Sequence, residues 1–321
     1  MPLKCQKYFH SNFYKMREIP ADGHICGDFL YAQGCVRNIA AAQHAPRAAS
    51  REDRKNVITS LQNQYIKEAV ALRAKKKERD RQDVFLVEGR KMFGEAPAEQ
   101  IIRVYIAHSA EAELYRQYGE KLSRLSCETV SDEVFAKISD TVTPQGILCL
   151  VRQQHYTIEE ILRGNGKKHP LFILLEDIQD PGNLGTIFRT AEAAGVDGVI
   201  MSNRTADIYN PKTIRSTMGS VYRVPFFYTA DIVSIIDRMQ KRGVSVYAAH
   251  LKAEADYDAC DYRKGTAFLI GNEAGGLLPE TAACADTLIS IPMEGKVESL
   301  NAAVASSVLL YEAHRQRKRG R

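Results

Sequence analysis

Asn183, Arg189, Glu273, Ser299 and Asn301 are polar side chains set in three Gly- and Asn-containing stretches, and their spacing limits the chemistry they could perform. The stretches read Asp180-Pro-Gly-Asn-Leu-Gly-Thr-Ile-Phe-Arg-Thr-Ala, Phe268-Leu-Ile-Gly-Asn-Glu-Ala-Gly-Gly-Leu, and LISIPMEGKVESLNAAVASSVLLY over 288–311. A dinucleotide fold would place GxGxxG after its first strand, and the glycines at 271, 275 and 276 have the wrong spacing. A phosphate-cradling GxxxxGK[ST] loop is absent too, because Ser290 stands where Gly295-Lys296 would need an upstream glycine. No spaced set of His, Cys and Asp suggests a metal.

Local elements must carry these residues to one place. In the third stretch a short apolar strand ends at Ile291-Pro292-Met293, crosses a polar loop and enters a helix at Ser299. Leu300, Val304, Val308 and Tyr311 recur at helical spacing and predict the buried side of that helix. Ser299 is an N-cap candidate, since its hydroxyl can accept an orphan backbone N–H, and Asn183 is a second one for the helix that follows it. The first stretch opens after Leu171-Phe-Ile-Leu-Leu, a continuous apolar run of the kind buried in a parallel sheet. Its helix places Leu184, Ile187, Phe188, Ala191 and Ala194 on an apolar side and stops at Gly195. Further segments at 198–201, 212–218, 224–227, 232–242, 244–249 and 267–270 alternate as in an open parallel α/β sheet.

NLGTIFRTAEAAG, LIGNEAGGL and IPMEGKVESLNAAVA, in this order and spacing, resemble the three motifs of the SPOUT class of RNA methyltransferases, in its TrmH/SpoU branch. The resemblance covers residues 171–315 closely and 57–154 more loosely. It implies a C-terminal SPOUT domain with a mostly parallel sheet and a trefoil knot, a homodimer, S-adenosylmethionine as cofactor, and methylation of a ribose 2′-hydroxyl in RNA. It also implies roles. Gly271, Ile291, Met293 and Leu300 would contact the cofactor: Gly271, without a Cβ, permits close approach to backbone, Ile291 and Met293 offer apolar contact to a purine face, and Leu300 closes the pocket. Core packing at strand ends is the plainer reading of the same residues. Asn183, Arg189, Glu273, Ser299 and Asn301 fall on catalytic positions of the motifs. Arginine keeps its proton in proteins, so Arg189 fits a bidentate clamp on the adjacent phosphate, or stabilisation of a developing alkoxide, better than proton abstraction. Glu273 would orient cofactor or substrate, and Ser299 and Asn301 would fix the ribose and the arginine. Ala302 stands where family members commonly carry valine or a similar residue, a difference without evident chemical consequence.

The rest of the chain frames this half. Of 321 residues, 45% are hydrophobic and 26% charged, an ordinary soluble balance with room for two domains. The net charge of +5 is too small to name a partner by itself. Seven cysteines without a CxxC pair predict neither a disulfide framework nor a zinc site, and a reducing cytoplasm is the simplest setting. No apolar run has the length of a membrane span. Residues 1–56 show no sustained period. Family members often begin near an equivalent of Ile58-Thr-Ser-Leu, which reads this segment as an added leader or a misplaced start, with a small ordered extension as the alternative.

Residues 57–154 alternate helix and strand: helix over 63–80 with Ile66, Val70 and Ala74 inward, strand over 84–89, strand over 101–107, helices over 110–123 and 132–138, and a strand over 146–151. They resemble the ribosomal-protein-like substrate-binding domain of many TrmH enzymes. Lys75, Lys76, Lys77, Arg79 and Arg81, with Arg90-Lys91, predict a positive rim that attracts phosphate. Residues 155–169 predict a flexible linker, and 170–321 the methyltransferase domain. The run Arg315, Arg317, Lys318, Arg319, Arg321 reads as a frayed, solvated tail, with nonspecific RNA contact as the alternative. The substrate expected is structured RNA, 23S rRNA before tRNA. An RNA-binding protein of this fold without activity, and a small-molecule α/β enzyme, are the competing readings; titration with S-adenosylmethionine against NAD separates the latter.

Overall fold

The computed structural model describes residues 57–319 apart from Glu254, so the leader reading of residues 1–56 lies outside the described residues. The first part builds a four-stranded sheet from α1 (Gln64–Ala74), α2 (Lys76–Gln82), β1 (Val84–Glu88), α3 (Arg90–Glu95), β2 (Ile101–Ala107), α4 (Glu111–Leu122), β3 (Cys127–Val130), α5 (Asp132–Ile138) and β4 (Ile147–Arg152). Its strand order is β1-β4-β2-β3, with β4 antiparallel to both neighbours and β2 parallel to β3. Asn63 caps α1 by accepting the Tyr65 amide. The buried side of α1 is Ile66, Ala69 and Leu72, whereas Val70 is only partly buried and Ala74 is exposed. The expected stripe is thus displaced by part of a turn, because the break at Lys75 leaves the Ala74 end without a neighbour to cover it.

The basic cluster does not form the free rim its composition predicts. Arg79 is 3% exposed, and its guanidinium pairs with Asp207 at 2.6 Å and donates to Leu72 O at 2.7 Å. Lys76 pairs with Asp80 and Arg81 with Glu78. Only Lys75 and Lys77 of the cluster lack a carboxylate partner among the described residues. An i,i+3 or i,i+4 carboxylate on the same short helix neutralises the cations that composition counts as free.

The second part is a seven-stranded sheet, order β7-β6-β5-β10-β8-β11-β9, with every neighbouring pair parallel. Its elements are β5 (Leu171–Leu175), α7 (Pro181–Ala194), β6 (Gly198–Ser202), α8 (Pro211–Thr217), β7 (Phe226–Thr229), α9 (Ile232–Gln240), β8 (Ser245–Ala249), β9 (Ala255–Asp256), β10 (Thr266–Ile270), α10 (Pro279–Ala282), β11 (Thr287–Ser290) and α11 (Ala302–Arg319). The central strands β5 and β10 are buried at every position, as apolar runs covered on both faces must be.

Between the two parts, α6 (Ile158–Leu162) replaces the expected flexible spacer. Thr157 and Glu160 form a reciprocal capping box, and Ile158, Ile161 and Leu162 pack into the core beside Phe172 and Ile200. The two sheets also share one apolar cluster, in which the Phe85 and Tyr209 rings lie 4.5 Å apart. Tyr209 Oη accepts from the Gln154 amide at 2.6 Å and donates to Gln154 O at 3.0 Å.

Helix α11 departs from its sequence pattern at both ends. Its buried side is Ala302, Ala303, Ser306, Leu309, Leu310 and Ala313, while Val304 and Tyr311 are about half exposed. Small residues let α11 lie close along α7, where Thr190 and Ser307 hydroxyls meet at 3.1 Å. As far as Lys318, the C-terminal end is no frayed tail, and Arg321 lies outside the described residues. Arg317 donates to Tyr262 O at 2.8 Å, His169 O at 2.9 Å, Pro170 O at 3.2 Å and Lys264 O at 2.7 Å, while Gln316 bonds the Tyr262 amide and Cys260 O. Burial among these carbonyls pulls the Arg317 pKa below its ordinary value, with Asp197 acting against the shift.

Candidate active site

The C-terminal ends of β10 and β11 feed two loops that face each other. After Ile270 the chain forms a tight hairpin: Asn272 N donates to Gly276 O and Gly276 N to Asn272 O, each at 3.0 Å. The Asn272 side chain shapes this hairpin, accepting the Ala274 and Gly275 amides at 2.9 Å and donating to Asp177 O at 2.7 Å. Gly271 is needed here for a reason other than ligand approach. A Cβ at this position would lie 2.3 Å from the Gly276 carbonyl carbon and 2.4 Å from Leu277 N, so the protein's own backbone fills the space.

A cleft of about 450 Å³ opens between this hairpin and the loop that follows β11, within the size range of small-molecule sites. Gly271, Glu273, Ile291, Met293, Ser299 and Leu300 all line it. Ala249, His250, Asn272 and Pro292 line it as well and were not singled out by the motifs. Main-chain groups of residues 292–300 make no hydrogen bond among the described residues, so they are open to a ligand beside an apolar wall.

Beside the cleft the three motifs are joined by one directed chain of hydrogen bonds. Asn301 Oδ1 accepts the Ala303 and Val304 amides at 2.9 and 3.3 Å, which makes Asn301, not Ser299, the N-cap of α11. Asn301 Nδ2 donates to Asn183 Oδ1 at 2.9 Å. Asn183 Nδ2 in turn donates to Glu273 Oε1 at 2.9 Å. Backbone N–H groups at one end and a carboxylate at the other leave each amide a single satisfactory orientation. Ser299, exposed at the mouth of the cleft, has no hydrogen bond among the described residues.

Glu273 also accepts the Gln179 amide at 3.1 Å and the Asp180 amide at 3.2 Å. Burial tends to raise its pKa, but the Asn183 side chain and these backbone donors outweigh it, and the net shift is downward. The group is therefore a carboxylate at neutral pH. Asp180, at the N-cap of α7, accepts the Asn183 amide at 2.8 Å and the Lys212 ammonium at 2.9 Å. Its pKa is lowered by Lys212 first and by the Asn183 amide next. Asn183 is thus the third residue of α7, not its cap; Pro181 fits the first position because it has no N–H to satisfy. Asp180 and Lys212 went unremarked in the sequence, although the Asp-Pro pair at a helix start is a visible signal.

Arg189 stands apart. It is exposed on α7, does not line the cleft, and has no hydrogen-bond or ion-pair partner among the described residues. The structure brings together eight of the nine predicted residues, six in the cleft wall and Asn183 and Asn301 behind Glu273, and leaves Arg189 outside.

Comparison with known proteins agrees with the motifs. Residues 170–311 match the SpoU rRNA Methylase family, and 63–149 match an MRM3-like substrate binding domain. The 23S rRNA (guanosine(2553)-2'-O)-methyltransferase RlmP of Bacillus subtilis is 34% identical over 79% of this chain and 97% of its own length. An AdoMet-bound rRNA methyltransferase from Sinorhizobium meliloti superposes with a TM-score of 0.70 at 33% identity, covering 81% of this chain and 97% of that one. The SpoU methyltransferase AviRb from Streptomyces viridochromogenes, in complex with AdoMet, gives 0.72 at 26% identity, covering 81% and 100%. Two adjoining matches in the expected order, a relative aligned over nearly its full length and a shared fold together show that this chain belongs to the SpoU family of rRNA methylases.

Proposed function

We propose that this protein is an S-adenosylmethionine-dependent RNA methyltransferase that modifies a ribose 2′-hydroxyl, with 23S rRNA as its substrate. The observation that carries the reading is the Asn301–Asn183–Glu273 relay, which fixes three motif side chains beside a cleft of suitable size. The cleft fits the cofactor in kind: Ile291, Met293 and Leu300 give apolar walls, and the main chain of 292–300 supplies unpaired donors and acceptors for a purine edge. When bound, S-adenosylmethionine supplies a methyl group already activated by its sulfonium, so the protein needs orientation and desolvation rather than a nucleophile of its own. Glu273, with three of its acceptor positions filled by N–H donors, orients the ribose through what remains. Ser299 holds the ribose from the mouth of the cleft. Arg189, exposed and without a partner, clamps the phosphate beside the target ribose and stabilises oxygen charge as it develops.

The proposal includes a homodimer, supported by Val304 and Tyr311, large apolar side chains about half exposed along α11 with the partly buried Val308 between them. It includes a knotted path for the last segment, drawn from the motif resemblance, and action in the cytoplasm, where rRNA is found. Among the described residues no helix is long and apolar enough to cross a membrane, and no group of side chains is arranged to hold a metal. The four-stranded domain would present a structured RNA loop. Single-stranded loops expose the 2′-hydroxyl most freely. Calorimetric titration with S-adenosylmethionine, transfer of a labelled methyl to rRNA or tRNA, and mapping of 2′-O-methyl sites in cells with and without the protein test the whole reading. Absence of both cofactor heat and methyl transfer overturns it; label appearing in tRNA alone overturns the choice of substrate.

A further inference from the structure

The end of the parallel sheet remote from the cofactor cleft carries a second concavity, of about 730 Å³, that the reaction does not use. It lies where the chain enters β5 and β10 and where α7 and α11 end. Lys167, Lys168, Arg263, Arg317, His314 and Lys318 line it. The balance of charge there is one-sided. Lys167 pairs with Asp197 at 2.8 Å, and Arg263 is held by Asp261. Glu192 at the rim shares Arg223 with Glu95. With Arg223, six cations thus meet four carboxylates, Asp197, Asp261, Glu192 and Glu95, an excess of two positive charges. Arg317 matters most, because the four carbonyls it donates to fix its position without cancelling its charge, and Asp197, the one carboxylate acting on it, is already paired with Lys167. Lys168 and Lys318 are exposed and have no ion-pair partner among the described residues.

A concave surface with uncompensated charge concentrates polyanions. Helix α11 joins this groove to the catalytic relay: Asn301 caps its start, and Lys318 stands on its last turn. At 1.5 Å per residue the two are roughly 25 Å apart. We propose that this groove binds the phosphate backbone of the substrate RNA at a distance from the target nucleotide, so that a long RNA is held at both ends of α11. The proposal rests on the RNA methyltransferase reading and adds to it a contact without sequence preference.

The double variant Lys168→Ala/Lys318→Ala removes two exposed charges that make no hydrogen bond or ion pair among the described residues. Each lost phosphate contact should lower the slope of log K against log salt by about 0.7 for single-stranded RNA. Both together should lower it by about 1.4, and weaken binding roughly 25-fold at 0.1 M salt relative to extrapolation at 1 M. The probe is a labelled mixed-sequence RNA long enough to span α11, compared with one too short to do so. Reduced affinity and slope for the long RNA alone, with cofactor heat unchanged, support the groove. A wild-type enzyme that methylates rRNA beside a variant with unaltered slope overturns the groove and leaves the enzyme reading intact. A wild-type protein that neither binds the cofactor nor transfers a methyl overturns the enzyme reading itself, and the groove's role with it.

Discussion

The two ends of α11 solve different problems with different chemistry. At its start, Asn301 divides its amide between the helix and the relay, giving Oδ1 to backbone donors and Nδ2 to Asn183. At its finish, Arg317 is committed to four carbonyls that belong to the fold. The first arrangement is exposed and short in reach, so it tolerates a substrate entering and leaving. The second is half-buried and multidentate, so it holds a terminus that sequence composition reads as loose. Position is set at one end and stability at the other, and substitutions should separate the two.

The largest expected effect is on activity alone. Arg189→Ala should lower kcat by about a hundredfold or more, the loss typical of removing one donor to developing oxygen charge. Its melting temperature should stay that of the wild type, because exposed Arg189 makes no hydrogen bond or ion pair among the described residues. A parallel fall in stability would mean that Arg189 serves packing instead. Arg317→Ala should do the reverse. Losing charged hydrogen bonds to four carbonyls costs about 3 kcal/mol, and a chain of this size should then melt about 4–5 °C lower. Turnover per folded molecule at saturating RNA should be unchanged, measured with the folded fraction determined by circular dichroism.

Asn301 lets the two properties be split within one side chain. Asn301→Ala removes the cap and should cost about 1 kcal/mol, together with most of the activity. Asn301→Asp keeps an acceptor for the helix amides, and a negative charge suits a helix start. The new carboxylate, however, cannot donate to Asn183 Oδ1. If Asn183 turns to donate to it, its oxygen then opposes Glu273, and the relay breaks one step further on. Equal activity loss in both variants, with stability lost only in the alanine variant, is the expected pattern. Full activity in Asn301→Asp would show that the relay does not align the site.

Much of this was visible in the residues, and the failures share a cause. β5 and β10 appear as unbroken apolar runs, and helix 132–138 and strand 101–107 fall where patterning places them. The motifs grouped residues more than a hundred positions apart that the fold does bring together, such as Asn183 and Asn301. The apolar side expected for α7 is buried at Leu184, Ile187, Phe188, Ala191 and Ala194, but on α11 and in the basic runs size and charge did not give the role. Leu300, Val304, Val308 and Tyr311 looked like the buried side of α11 because they are large, yet contact with α7 selects Ala302, Ala303, Ser306 and Ala313 because they are small. Arg79 and Arg317 looked solvated because they are cationic, yet one meets Asp207 and the other meets carbonyls from segments about 50 and 150 residues away. Partners so distant in sequence leave no local pattern. Helix α6 is the exception, since Thr157-Ile-Glu-Glu is a legible capping box in a stretch whose glycines drew attention to flexibility.

The smallest expected effect concerns the acid side of the relay. Glu273 titrates below its ordinary value of 4.5 in the folded protein. A carboxyl with a lowered folded pKa contributes stability that is fully present above its unfolded pKa and is lost as pH falls through the folded one. Wild type should therefore keep a constant advantage in melting temperature over Glu273→Gln from neutral pH down to about 4.5, and lose it progressively below. The variant cannot satisfy the Gln179 and Asp180 amides together with Asn183, because one carboxylate oxygen becomes an NH2 group that faces a donor. Solvent access to Glu273 keeps the difference modest. A gap in melting temperature that stays the same from neutral pH to below 4 would mean that Glu273 is not the ionised terminus of the chain of amides, and the fixed orientation of Asn183 and Asn301 would lose its physical cause.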